Sequence, residues 1–230
     1  MPRPTQPFRI LQGLPPHLRA AAAALYWDGF GHLLLPFAVD RRRGEALVAA
    51  SLNPMQALVA VDRQGALIGL MGWRGLDGGL LSPTPAEFRL VWGPMRGHAC
   101  HLATRFWRSG PATSDLIIDG IVIAPEWRQR GLARALLAHA TQIAADRGHP
   151  GLRAEVEAAN HPALDAYSAL GFQPVARARA GWAWKRRPAH ILRRPVCKAQ
   201  PRPNMPETCA SSVKARPERV SASAASMSSP

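Results

Sequence analysis

A chain of 230 residues, 47% hydrophobic and 19% charged, can bury a full core and is too apolar for wholesale disorder. No membrane-length apolar run occurs and MPRPTQP is not a secretion signal, so a cytoplasmic protein without membrane contact is expected. The formal charge of +14 invites a polyanion, but from Val175 onward the chain carries 12 Lys or Arg against two Glu, so most of the excess is C-terminal. Phe8-Arg-Ile10 reads as a short extended start. Pro16 then opens a helix with the body LRAAAAALYWDGF, loosened at its end by Gly29 and Gly31. Arg41 to Leu52 reads as a shorter helix. Gln56–Val61 and Ala66–Trp73 form two apolar strands around the turn residues Asp62-Arg-Gln-Gly65, which makes them a hairpin. An insert over 76–114 follows, helical from Ala86 to Trp107 and long enough to form a lid. It holds His98-Ala-Cys100-His101, but no second cluster completes a four-ligand set, so no metal is expected.

The signal sharpens at Asp115. DLIIDGIVIA is a strand by its β-branched content, and Pro125 to Gly131 is a loop. Leu132 to Arg147 is amphipathic, with Leu132, Leu136, Leu137, Ala140, Ile143 and Ala144 on one face. Leu152–Val156 is a strand, Pro162–Leu170 a short helix and Phe172–Ala178 another strand. Trp182-Ala-Trp184 is a weak candidate for a last one. From Arg186 the chain turns Pro-, Arg- and Ser-rich, and this segment is expected to be a disordered basic tail over 186–230.

Arg128-Gln-Arg-Gly131-Leu-Ala133 stands at a helix N-terminus, where unpaired N–H groups and positive partial charge attract phosphate. Alone, this is as well read as a tight helix start. Downstream, however, runs Asn160-His-Pro-Ala163-Leu-Asp-Ala-Tyr167-Ser-Ala-Leu-Gly171-Phe172. Together the two segments resemble the GNAT superfamily of N-acetyltransferases, through the R/Q-x-x-G-x-G/A loop and the N-x-x-A-x-x-x-Y-x-x-x-G-F segment. The likeness covers about 115–178.

The resemblance implies a mixed α/β fold with a mostly antiparallel twisted sheet of six to seven strands flanked by helices, occupying 1–185, with its cofactor unit at 115–178. It implies acetyl-CoA as cosubstrate and no metal. The pyrophosphate would rest on backbone N–H groups from Gln129, Arg130, Gly131, Leu132, Ala133 and Arg134. The pantetheine arm would pair with the strand at Ile121, Val122 and Ile123, one of whose N–H groups would stabilise the oxyanion. Asn160 would hydrogen-bond the arm, and Arg128 would order the loop. Tyr167 falls at the family's acid position, where a neutral phenol protonates the departing thiolate. Asp119, placed by alternation on one strand face with Ile121 and Ile123, is either a base acting through water or a ligand of the substrate ammonium. Glu155 and Glu157 alternate along the next strand, so either one can face the substrate cleft.

The reading that follows is an N-acetyltransferase acting on a primary amine of a small molecule, as a monomer or homodimer. Two alternatives stand beside it. One is a non-catalytic acetyl-CoA binder; the other is a degenerate acetyltransferase domain that binds nucleic acid or an acidic surface through the basic tail.

Overall fold

The computed structural model describes residues 7–75, 78–108 and 111–196, all within one compact unit spanning 1–198. β1 (Phe8–Gln12) leads into α1 (Arg19–Leu34) and α2 (Arg41–Ser51). The hairpin β2 (Ala57–Asp62) and β3 (Leu67–Arg74) follows. The insert contributes α3 (Pro85–Trp92), α4 (Pro94–Thr104) and the two-residue β4 (Trp107–Arg108). β5 (Leu116–Ile123), α5 (Leu132–Asp146), β6 (Gly151–Glu157) and α6 (His161–Ala169) come next, and β7 (Gln173–Trp182) and β8 (Lys185–Pro195) close the fold.

The strands form one sheet in the order β1-β2-β3-β5-β6-β8-β7-β4. Every neighbouring pair is antiparallel except β5 and β6. One face carries α5 and α6. Leu132, Leu136, Leu137, Ala140, Ile143 and Ala144, the stripe expected from the helical period, pack there on Leu58, Met71, Trp73, Leu116, Ile118 and Leu152. The other face carries α1 and α2, with Leu18, Ala22, Tyr26 and Val48 against Val59, Leu70 and Val122.

Three expectations from the sequence are corrected. Gly29 and Gly31 do not loosen α1, which runs to Leu34. They admit close packing: a Cβ on Gly29 would lie 3.0 Å from Val122 Cγ2, and one on Gly31 2.7 Å from the Trp27 ring. The helix expected over 86–107 is two helices, broken at Gly93 (φ 79°) and restarted by Pro94. Its first half is held by a capping box between Thr84 and Glu87, and Phe88 anchors the pair in a third core with Leu35 and Leu47 of the α2 side. Cys100 packs at this core, and His101 meets the Phe88 ring edge-on at 5.5 Å.

The third correction concerns the end of the domain. The boundary expected at 185 coincides with the start of β8, an 11-residue strand lying between β6 and β7. Residues 186–195, read as tail from their Pro and Arg content, pair with β6 from Gly151↔Pro195 to Glu157↔Ala189. They pair with β7 from Gln173↔Arg193 to Gly181↔Arg186. Ala189, Ile191 and Leu192 are buried, and Arg193 donates two hydrogen bonds to the buried carboxylate of Asp115, at 2.8 and 3.0 Å. The remainder of the expected tail, 197–230, lies outside the described residues.

A chain ending at 185 therefore lacks an interior strand. It is expected to lose the cooperative thermal transition that a chain ending at 198 keeps, which melting curves of the two will check. Leu192→Ala in the full chain is expected to cost about 2–5 kcal/mol in urea unfolding, as for other buried leucines.

Candidate active site

β5 and β6 are hydrogen-bonded at one end only. Their parallel register holds for Leu116↔Leu152, Ile117↔Arg153 and Ile118↔Ala154 and then stops. β5 continues to Ile123 while pairing β3 on its far side, and β6 continues to Glu157 while pairing β8. From Asp119 and Glu155 onward the two strands present backbone edges that are not bonded to each other, and a gap opens between them. An extended polar chain can satisfy such edges as a sheet neighbour would.

The separation has a local cause. The register of β3 against β5 shifts where Gly72 opposes Gly120 and Trp73 opposes Ile118, so Asp119 is an extra residue in β5. This bulge, completed by Gly120 at φ 151°, breaks the alternation. Ile118, Ile121 and Ile123 pack on the α5 face, whereas Asp119 lies toward α1. The sequence expectation that Asp119 shares a face with Ile121 and Ile123 is thus wrong, because one inserted residue turned it over.

On the α1 face Asp119 is 13% exposed and accepts a 2.7 Å hydrogen bond from Arg74 Nη2 at the end of β3. The backbone of Gly79 comes so close that a Cβ there would lie 2.7 Å from Asp119 Oδ2. Tyr26 on α1 is buried nearby. Burial raises its pKa, the negative charge of Asp119 raises it further and Arg74 partly offsets this. Arg74 was not foreseen, since nothing in its local sequence marks it; only the β3–β5 pairing brings it there.

β6 alternates regularly, sending Leu152, Ala154 and Val156 to the α5 face and Arg153, Glu155 and Glu157 to the α1 side. Glu155 pairs with the buried Arg153 at 2.8 Å, and Arg153 also donates to the Pro111 carbonyl at 2.8 Å. Glu157 pairs with Arg187 of β8 at 3.1 Å. Two carboxylates of adjacent strands, Asp119 and Glu155, therefore flank the start of the gap on one face.

At the outer end of β5 the chain turns through Pro125–Trp127 into α5. Arg128 Nε donates to the Ile123 carbonyl at 3.1 Å, tying the loop to the strand. Gln129 takes φ 58° and Gly131 φ 78°, left-handed conformations on either side of Arg130. For glutamine this costs about 1 kcal/mol or more, so the loop is held by its surroundings. Alternating hand turns successive N–H groups inward, a concavity suited to an anion. Gly131 is the N-cap of α5 without a side-chain cap, and the first helical bond is from Ala135 N–H to its carbonyl. The N–H groups of Leu132, Ala133 and Arg134 precede that bond and point out of the helix. A Cβ on Gly131 would meet nothing within 4 Å, so the space before it is open. Arg130 lies over the Trp127 ring at 5.2 Å, and Arg130 and Arg134 are both exposed beside this space.

α6 follows β6 at the gap. Asn160 is its N-cap, accepting from Ala163 N–H at 3.2 Å through Oδ1, which leaves the amide Nδ2 to donate elsewhere. Tyr167 packs against the α5-side core and meets Phe172 edge-on at 5.0 Å. Burial alone raises its pKa above the ordinary 10.0. Tyr167 thus lies on the α5–α6 side of the sheet and the Asp119 carboxylate on the α1 side. Among the described residues no group of three or more His, Cys, Asp or Glu is placed to hold a metal, and no helix is long and apolar enough to cross a membrane.

These features agree with known proteins. The model of the acetyltransferase (GNAT) family matches residues 23–172. The streptothricin acetyltransferase of Streptomyces lavendulae is 42% identical over 57 residues, which are 25% of this chain and only 30% of that protein. Among solved structures, a GCN5-related N-acetyltransferase from Kribbella flavida superposes with a TM-score of 0.53 at 16% identity, over 84% of this chain and 99% of that one. An acetyltransferase from Salmonella typhimurium, solved with its cofactor acetyl-CoA, gives 0.52 at 17% identity, over 89% and 100%. At these identities the structures are alike in fold.

The chain has two tyrosines, and burial raises both above 10.0. A near-ultraviolet titration of the folded protein is expected to show almost no phenolate near pH 10, the signal appearing only higher or on unfolding. Because the unfolded chain loses these protons first, stability should fall as pH rises beyond about 10. Asp119→Asn should bring Tyr26 into titration earlier and leave Tyr167 unmoved.

Proposed function

The chain belongs to the acetyltransferase (GNAT) family, and from that premise we propose that it transfers the acetyl group of acetyl-CoA to a primary amine of a small molecule. The observation that carries the reading is the gap between β5 and β6 running from the uncapped N-terminus of α5 to the bulge at Asp119. Acetyl-CoA is the family's acyl donor, and the residues present suit it. The loop at Gln129–Arg134 offers an inward set of N–H groups with open space before Gly131, as a pyrophosphate needs. The free edge of β5 at Ile121, Val122 and Ile123 can hydrogen-bond an amide-bearing arm, and Asn160 Nδ2 can donate to it from α6.

When bound, acetyl-CoA supplies an activated carbonyl with a thiolate leaving group. A backbone N–H of β5 beyond the bulge stabilises the charge that develops on the carbonyl oxygen, as fixed donors do without reorganising. Tyr167 holds the proton that the thiolate needs. Its burial keeps the phenol neutral at working pH, so the donor is always loaded. Asp119 faces the opposite side of the gap, where the amine must enter, and Arg74 fixes its carboxylate in place. In that position it attracts an ammonium and takes up its proton, directly or through water. Proton uptake and proton donation thus fall to groups on different faces of the sheet.

Calorimetry on the full chain tests the premise: acetyl-CoA should bind, and a screen of amines should release free CoA. Folded protein that does not bind acetyl-CoA would refute the proposal. Tyr167→Phe should lower kcat about 10²–10⁴-fold, the usual contribution of a positioned acid, while acetyl-CoA affinity stays close to that of the parent. Loss of affinity in equal measure would show that Tyr167 binds instead of donating a proton.

A further inference from the structure

The gap between β5 and β6 is closed at its inner end. An arm that starts at the α5 N-terminus and follows β5 backward from Ile123 has a free edge only as far as Asp119, roughly 13 Å of strand, before β6 bonds to Ile118. Whatever group ends the arm arrives at the bulge. What stands over the bulge is Phe30 of α1: a Cβ on Gly120 would lie 2.8 Å from the ring carbons Cε2 and Cζ. The ring therefore rests on the Gly120 α-carbon and blocks the α1 side of the strand there.

Phe30 has little freedom to move away. Gly29, beside it, brings the helix so close to β5 that a Cβ there would be 3.0 Å from Val122 Cγ2. Tyr26, one turn earlier and buried, stacks on Phe30 at 4.9 Å with the planes tilted by 47°. Phe30 itself is half-buried, packed against the α1-side core.

We infer that Phe30 sets the length of acyl chain this protein accepts, stopping the pocket at acetyl and excluding longer acyl thioesters. The inference rests on the acetyl-CoA reading above. The ring occupies the volume into which the second and later carbons of a longer chain would extend. Misfit by one or two methylenes against a fixed wall is worth about tenfold or more in discrimination.

The test compares affinities of acetyl-CoA and butyryl-CoA by calorimetry on the full chain, for the parent protein, Phe30→Ala and Phe30→Leu. Free CoA titrated into the parent separates the two levels of the argument. If free CoA does not bind, the acetyl-CoA reading fails and this inference falls with it. If it binds, the parent should prefer acetyl-CoA at least about tenfold, and Phe30→Ala should bring the ratio within about threefold. Phe30→Leu, which keeps a large apolar side chain on α1, should give an intermediate ratio and decides the matter if the alanine variant melts early. Equal affinities in the parent, or a ratio unchanged in the folded variants, would overturn the assignment while leaving acetyl-CoA binding intact.

Discussion

One extra residue in β5 shapes the whole site. Up to Ile118 the strand is an ordinary member of the sheet, bonded to β3 on one side and β6 on the other. At Asp119–Gly120 the bulge bends it, and bulges raise local twist and end pairing on the strand that carries them. β6 keeps its direction because β8 holds it along its full length, from Gly151 to Glu157. The two strands therefore part, and the parting is stable because each has a complete partner on its other side. Had β6 been an edge strand it could have followed β5, and no gap would exist. β8 is in this sense part of the site, because it holds β6 in place.

That dependence explains where sequence reading succeeded and where it did not. The α5 stripe was legible because a 3.6-residue apolar period states both the element and its buried face. The loop before it was legible because Gly131 stands where the backbone must be left-handed. β8 was not legible. Lys185-Arg-Arg-Pro-Ala-His-Ile-Leu-Arg-Arg-Pro195 has two prolines, five basic residues and adjacent apolar residues at Ile191-Leu192 in place of an alternation. Leu192 pairs with Ala154 and Ile191 with Glu155, so the two side chains point to opposite faces of the sheet, and both are buried because both faces are covered there. Its polar content is met by partners far away in sequence, such as Asp115 for Arg193 and the Leu170 carbonyl for Arg194. Propensity over a local window cannot register such partners, and the Pro/Ser-rich composition beyond 196 coloured the reading of the strand before it.

The face of Asp119 failed for a related reason. Alternation is a reliable guide only while the register is unbroken, and a bulge is a property of two strands together. Gly72 and Gly120 oppose each other at the shift, and each is crowded: a Cβ on Gly72 would lie 2.4 Å from Leu80, and one on Gly120 would strike Phe30. Two glycines in otherwise β-branched and apolar strands are the visible trace of the bulge, since glycine inside a strand marks close approach of another group. What they could not reveal is which way the next side chain turns. Arg74 and the carboxylate it holds became neighbours only through that turn.

The pairing of Asp119 with Arg74 bears on which of its two roles is physically easier. The same pairing fixes the direction of the carboxylate and leaves its second oxygen, beside Gly79, to accept from another donor. An oriented anion with one oxygen available suits an ammonium ligand well: it lowers the cost of bringing a charged amine out of water. In the proposed reaction the proton that the amine must lose before it attacks would pass to Asp119, directly or through water. Under the proposed function the oriented carboxylate would hold the amine, and Tyr167 of α6 would serve as the acid.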